Sequence, residues 1–263
     1  MDQKKETHGT PPYVTPSGRP SKVVVTGLTK KFGDLLVLDN ISFHVGEGEF
    51  LAIVGPTGCG KTTFLNVLSK LTPATSGNIR IDGAEANPRR HNLAFVFQEP
   101  SSMPWLTVRE NVAFGMKVKG VNSRERETRT QAILDLVGLT SCCNLLPNQI
   151  SASMEQRVSV ARAFATNPDL LLMDEPYGQL DVKLRYYLED ELIRLWQETK
   201  RTVIFVTHNI EEAVYLADRI LILTNKPTTI RKEVNVNLTR PRHFLDEGFM
   251  EIRKEVTELI RWW

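Results

Sequence analysis

Phe50-Leu51-Ala52-Ile53-Val54-Gly55-Pro56-Thr57-Gly58-Cys59-Gly60-Lys61-Thr62 is an apolar run that breaks into a glycine-rich octet. Apolarity that does not alternate predicts a strand covered on both faces. The octet fits G-x-x-x-x-G-K-[ST] directly after that strand. Gly55, Gly58 and Gly60, with Pro56, Thr57 and Cys59 completing the turn, let the backbone curl until several N–H groups point at phosphate oxygens. A helix starting at Lys61 turns its positive end on the same anion. In that pattern Lys61 reaches the β- and γ-phosphates, Thr62 ligates Mg²⁺ through its hydroxyl, and Thr63 hydrogen-bonds the α-phosphate. With glycine near ~7% of residues, the four fixed positions coincide by chance in about one such chain per hundred.

Outward from this turn, Leu93–Phe97, Leu170–Met173, Thr202–Thr207 and Ile220–Leu223 carry the same continuous apolarity. Leu184, Leu188, Leu192 and Leu195 follow helical spacing, and Asn209 with Glu212 forms the pattern of a capping box. Strand and helix alternate, which predicts an α/β fold around a parallel-rich central sheet. Residues 99–162 break the alternation: they hold no convincing strand, a charged run Arg124–Arg129 and an amphipathic stretch Ala132–Val137. They are expected to form an inserted helical lobe.

Three apolar runs end in groups that can do chemistry. Asp174 follows Leu170–Met173, at the sheet edge where open α/β folds bind ligands, and can hold Mg²⁺ opposite Thr62. Glu175 points the other way and can polarise a water for in-line attack on a γ-phosphate. His208 ends Thr202–Thr207 and can bond the same phosphate and water. Gln98 ends Leu93–Phe97, and its amide can touch both metal and water.

With these residues in place, the chain resembles the ATP-binding-cassette (ABC) ATPases from Val23 to Arg240. The match runs through the phosphate turn, Phe97-Gln98-Glu99-Pro100, Ile150–Arg162, Met173-Asp174-Glu175-Pro176, Leu180-Asp181 and Thr207-His208. The resemblance implies a P-loop NTPase fold with an antiparallel β edge, ATP and Mg²⁺ as ligands, and ATP hydrolysis as the reaction. It places Phe32 against adenine, between Lys30-Lys31 and Gly33-Asp34. A narrower likeness, to importers of nitrate, sulfonate and taurine, rests on Met103-Pro104-Trp105-Leu106-Thr107-Val108, on Asn209–Arg219 and on Arg240-Pro241-Arg242.

Family members act as face-to-face dimers, each ATP lying between one chain's phosphate turn and the partner's signature segment. The resemblance assigns Ser151, Ser153 and Asp181 to contacts across that interface. The usual pattern has two glycines where this chain has Ala152 and Ser153, and each added Cβ crowds the approach of a helix end to phosphate. Ser153 and Gln156 are expected to form a capping box there. Turnover should be slowed, not abolished. Gln179 also stands where a small residue is usual. A homodimer is favoured, with a membrane permease as partner, a solute-binding protein acting indirectly, and a position on the cytoplasmic face of the inner membrane. Met103, Pro104 and Trp105 either grip the permease or pack inside the lobe. The other readings are a non-transport ABC ATPase and a weakly hydrolysing regulatory subunit.

Composition bounds the remainder. In 263 residues, hydrophobic types make up 41% and charged types 24%, as in ordinary globular domains. The net charge of +2 gives no reason to invoke nucleic acid. No run approaches the ~20 apolar residues of a spanning helix. Residues 1–20 are polar and rich in Thr, Pro and Gly, and are expected to be a mobile tail before a domain over 21–240. In the closing segment, 241–263, Leu245, Phe249, Ile252, Val256, Leu259 and Trp263 trace an amphipathic helical seam, covered either by the chain's own core or by a partner. Cys59, Cys142 and Cys143 form no metal or redox pattern. Alkylation of Cys59 is expected to inactivate the protein, and Mg-ATP to protect it.

Overall fold

The strand Phe50–Val54 is buried along its whole length, and its side chains divide between two cores. Phe50, Ala52 and Val54 face one core, while Leu51 and Ile53 face the other. A pleat of period two explains the split. The same division holds for Leu171 and Met173 against Leu170 and Leu172, and for Val203 and Phe205 against Ile204 and Val206. Continuous apolarity is therefore what a strand with two covered faces requires.

These strands belong to a computed structural model that describes residues 20–260 except 89 and 179. The tail expected over residues 1–20 lies outside the described residues but for Pro20, as do Gln179 and Trp263. Among the described residues there are two sheets. One is antiparallel, in the order β2 (Leu35–Gly46), β1 (Ser21–Phe32), β4 (Ser76–Ile81), β5 (Ala84–Glu85). The central sheet runs β10 (Ile230–Asn235), β9 (Arg219–Leu223), β3 (Phe50–Val54), β8 (Thr202–Thr207), β7 (Leu170–Asp174), β6 (Leu93–Val96). Its neighbours are parallel except for β10, which pairs antiparallel with β9. The antiparallel sheet and helix α1 (Lys61–Leu68) share one core with the central sheet, through Val25, Leu28, Ile41, Phe64 and Leu68.

The stretch after β6 holds α2 (Val108–Val118), α3 (Ser123–Leu136) and α4 (Ala152–Ala165), with no strand among them. Thr107 and Glu110 cap α2 reciprocally: Thr107 N donates to Glu110 Oε2 at 2.8 Å and Glu110 N to Thr107 Oγ1 at 3.2 Å. Helices α5 (Val182–Thr199) and α6 (Ile210–Leu216) cover the second core, α5 through Leu188, Leu192 and Trp196.

The last described helix, α7 (Glu247–Ile260), buries Phe249 and Val256 and lies against α6 and β9. Its seam is covered by the chain's own core. Leu245 departs from the expected seam: it is 87% exposed and precedes the helix, because a turn closed by Asp246 N on His243 O points it outward.

Candidate functional site

The turn after β3 is held from within and from without. Cys59 N donates to Pro56 O at 3.2 Å, and Phe64 N to Gly60 O at 2.8 Å where α1 begins. Gly60 has a φ of 116°, and a Cβ there would stand 2.9 Å from Val37 Cγ1. Conformation and space both demand glycine at this point. From the β9–β10 loop, the buried Thr228 hydroxyl donates to Cys59 O. Lys61 Nζ donates to Gly55 O at 3.0 Å and to Pro56 O at 3.1 Å.

Burial of Cys59 counts against the expectation that its alkylation inactivates the protein. That burial also pushes the thiol pKa up, with Lys61 opposing.

Asp174, the final residue of β7, is 2% exposed, and its Oδ1 has no hydrogen-bond partner among the described residues. Burial raises its pKa; a hydrogen bond with Thr62 opposes the rise. An orphaned buried carboxylate oxygen beside a hydroxyl is the donor set a hard cation takes. Glu175 has a left-handed φ of 44°, which costs roughly 1–2 kcal/mol in a non-glycine residue. That twist carries its carboxylate off the sheet edge. Oε1 lies 3.8 Å from Lys61 Nζ, while Oε2 lies 2.9 Å from His208 Nδ1 and accepts from Gln98 Nε2 at 3.2 Å. Residues at or just after the ends of β3, β6, β7 and β8 therefore meet at one edge of a parallel sheet.

Thr57, Gly58, Gly60, Lys61, Thr62, Thr63, Gln98, Glu175 and His208 line a cleft of 430 Å³. Lys226 lines it too, a residue that sequence reasoning missed. It sits in the turn Asn225-Lys226-Pro227, where no periodicity marks it. A larger groove of 720 Å³ lies between α5, Tyr215 and Arg240–Phe244, away from the strand ends. The strand-end residues converge on the smaller one.

Gly55, Pro56, Cys59 and Asp174 lie beside the cleft without lining it, and four other candidate residues stand on other elements. Phe32 is 50% exposed at the tip of the β1–β2 hairpin, with Lys30 Nζ 4.5 Å from its ring centre. Asp181 caps α5, accepting from Leu184 N at 3.0 Å. Ser151 caps α4, accepting from Met154 N at 3.2 Å, and Ser153 sits inside the first turn. The expected Ser153–Gln156 capping box is not formed, because the helix starts two residues earlier. Gln156 is buried instead, and its Nε2 donates to Phe97 O at 3.1 Å and Pro176 O at 3.0 Å. It thereby fastens the segments that carry Gln98 and Glu175.

The model of one protein family, described as ABC transporter, matches residues 38–178. Relatives match nearly the whole chain. An uncharacterized ABC transporter ATP-binding protein of Methanocaldococcus jannaschii is 41% identical over 91% of both chains. The chain belongs to the ABC transporter family.

As an ABC ATPase it is also 39% identical to an aliphatic sulfonates import ATP-binding protein of Bacillus cereus, over 90% of this chain and 94% of that one. It is equally similar, at 39% over 81% and 82% of the two chains, to a nitrate import ATP-binding protein of Synechocystis. Among solved structures, the ATP-binding cassette MJ0796 superposes with a TM-score of 0.75 and 33% identity, covering 82% of this chain and all of that one. That cassette was solved as a dimer in a post-hydrolysis state bound to ADP and Pi. Among the described residues of this ABC ATPase, no helix is long and apolar enough to cross a membrane.

Proposed function

We propose that this ABC ATPase is the motor of an importer, hydrolysing Mg-ATP to drive uptake of a small anion of the nitrate, sulfonate or taurine type. The carrying observation is the meeting of Lys61, Glu175, His208 and Gln98 around one cleft beside the phosphate turn. In this reading Lys61 exchanges the Gly55 and Pro56 carbonyls for the β- and γ-phosphates. Asp174, Thr62 and Gln98 hold magnesium, which when bound supplies positive charge to the phosphate oxygens. Glu175 accepts a hydrogen bond from a water and aims it at the γ-phosphorus, and His208 donates to the γ-phosphate. The water oxygen bonds to phosphorus as the bridging P–O bond breaks, its electron pair leaving on the ADP oxygen and the water's proton passing to Glu175.

The nucleotide lies between two copies of the chain. Phe32 stacks on adenine, and Ser151, Ser153 and Asp181 of each copy face the other's nucleotide. Exposure of Phe32, and of Ser151 and Ala152 at the α4 N-terminus, suits that arrangement. Trp105 is 74% exposed, on a loop braced by Asn111, whose Nδ2 donates to the Met103, Leu106 and Thr107 carbonyls at 3.0–3.1 Å. A braced loop with an exposed indole suits a permease held at the inner face of the membrane. The likeness to sulfonate and nitrate import ATP-binding proteins supports the solute class.

The test combines binding, turnover and capture. The purified chain should bind a fluorescent ATP analogue with magnesium and release phosphate. From detergent-solubilised membranes it should retain a multi-spanning subunit, and Trp105→Ala should lose that subunit while keeping nucleotide affinity. Absence of Mg-ATP affinity, alone or with membrane partners, overturns the reading. Retention of the subunit by Trp105→Ala overturns the docking assignment.

A further inference from the structure

We infer that Glu212 is a positioning residue for hydrolysis: its buried carboxylate fixes the backbone on both sides of His208 and ties that histidine to α5. The inference rests on the reading above, in which His208 meets the γ-phosphate.

His208 occupies a short link between β8, which ends at Thr207, and α6, which starts at Ile210. Its side chain is exposed on the cleft side. A link of this kind needs something to hold it. Thr207 Oγ1 donates to Glu212 Oε2 at 2.6 Å and accepts from Asn209 N at 3.0 Å, so one hydroxyl bridges the residues before and after His208. Asn209 Oδ1 caps α6, accepting from Glu211 N at 2.9 Å and Glu212 N at 3.4 Å. The expected capping box is thus only half formed. Its acid turns away from the Asn209 backbone and takes the Thr207 hydroxyl.

The other carboxylate oxygen is also engaged. Asn209 Nδ2 donates to Glu212 Oε1 at 3.4 Å, and Arg185 Nη1 lies 3.6 Å from it. Arg185 stands in the first turn of α5, where its N–H bonds the Asp181 carbonyl at 2.9 Å. The first turn of α5 and the His208 link therefore meet at one carboxylate. Glu212 is 5% exposed, and a carboxylate that deep is retained only with its partners in place. A helix needing only an N-terminal cap would be served by Asn209 alone. Charge-assisted bonds in a buried setting are the stronger kind, and deleting one partner strands the others.

The full chain with magnesium is compared as wild type, Glu212→Ala, Glu212→Gln, Thr207→Val and His208→Ala, for kcat and for affinity toward a fluorescent ATP analogue. Glu212→Ala should lower kcat at least about tenfold and leave nucleotide affinity within about twofold, because the phosphate turn is untouched. Glu212→Gln still accepts from Thr207 and should return kcat to within about threefold of wild type. Thr207→Val should match Glu212→Ala, and the double variant should fall no further. Wild-type kcat in Glu212→Ala, or a Glu212→Gln as poor as Glu212→Ala, overturns the inference. Should Glu212→Ala fail to fold, Thr207→Val decides alone, and wild-type kcat there overturns it. His208→Ala at full turnover removes the underlying reading and this inference with it. An impaired His208→Ala beside an unimpaired Thr207→Val sinks the inference alone.

Discussion

His208 Nδ1 lies 2.9 Å from the Glu175 oxygen that also accepts the Gln98 amide. Two strand ends thus converge on a single atom, and the acid's second oxygen is left facing Lys61. The charge of that carboxylate, more than its shape, organises the cleft.

Replacing Glu175 with Gln keeps the volume and removes the charge. Turnover should fall by about 100-fold or more, the range typical of losing a positioned base. Affinity for Mg-ATP should persist, since the phosphate turn is built from other residues. Phosphate release and equilibrium binding on the same preparation separate the two, and wild-type turnover would remove Glu175 from the chemistry.

The first turn of α4 carries Cβ atoms at Ala152 and Ser153 where the family pattern has glycine. If crowding there costs one charge-assisted bond, worth about 1.5–3 kcal/mol, the rate deficit is roughly one to two powers of ten. The paired substitution Ala152→Gly and Ser153→Gly should raise steady-state ATPase activity by about tenfold. No gain means the segment is not limiting.

Glu189 is buried in α5, its Oε1 unpartnered among the described residues. Burial first, and then the neighbouring Glu212 charge, push its pKa from 4.5 up to about 8. The folded state holds this proton more tightly than the unfolded chain does. Its contribution is complete below about 4.5 and is lost as pH rises through about 8. Glu189→Gln has no proton to lose, so its thermal midpoint should gain on wild type between about pH 5.5 and about pH 8.5. A constant difference across that window would contradict the assignment.

All three cysteines are buried, and burial raises the Cys59 and Cys142 thiols. Cys59 and Cys142 then offer little thiolate at neutral pH. Native protein treated with iodoacetamide should keep its ATPase activity, whereas unfolded chain should titrate all three thiols. Rapid inactivation that Mg-ATP prevents would restore the view of Cys59 as accessible.

The central sheet was legible because each of its inner strands is apolar on both faces, a pattern that survives without knowledge of neighbours. The strand ends were legible for a related reason: Asp174, Glu175 and His208 interrupt those runs with chemistry. Partners set by tertiary packing were not. Glu189 sits among charged residues of α5 and looks like part of a solvated face, and Glu212 reads only as the acid of a helix cap, until the helices meet. Lys226 and Thr228 reach the phosphate turn from a loop whose composition signals only a bend. The α4 cap was misplaced because Ser151 and Ser153 both fit a cap, and only the strand-end carbonyls that draw Gln156 inward decide between them.

That inward pull has a mechanical corollary. One amide nitrogen on α4 spans the carbonyls of Phe97 and Pro176, so a tilt of the lobe strains or breaks those two bonds. Any rotation of α4 either releases both carbonyls together or drags the neighbours of Gln98 and Glu175 along with it. Movement imposed on the lobe from outside would therefore arrive at the phosphate end as a change in alignment, with no separate relay required.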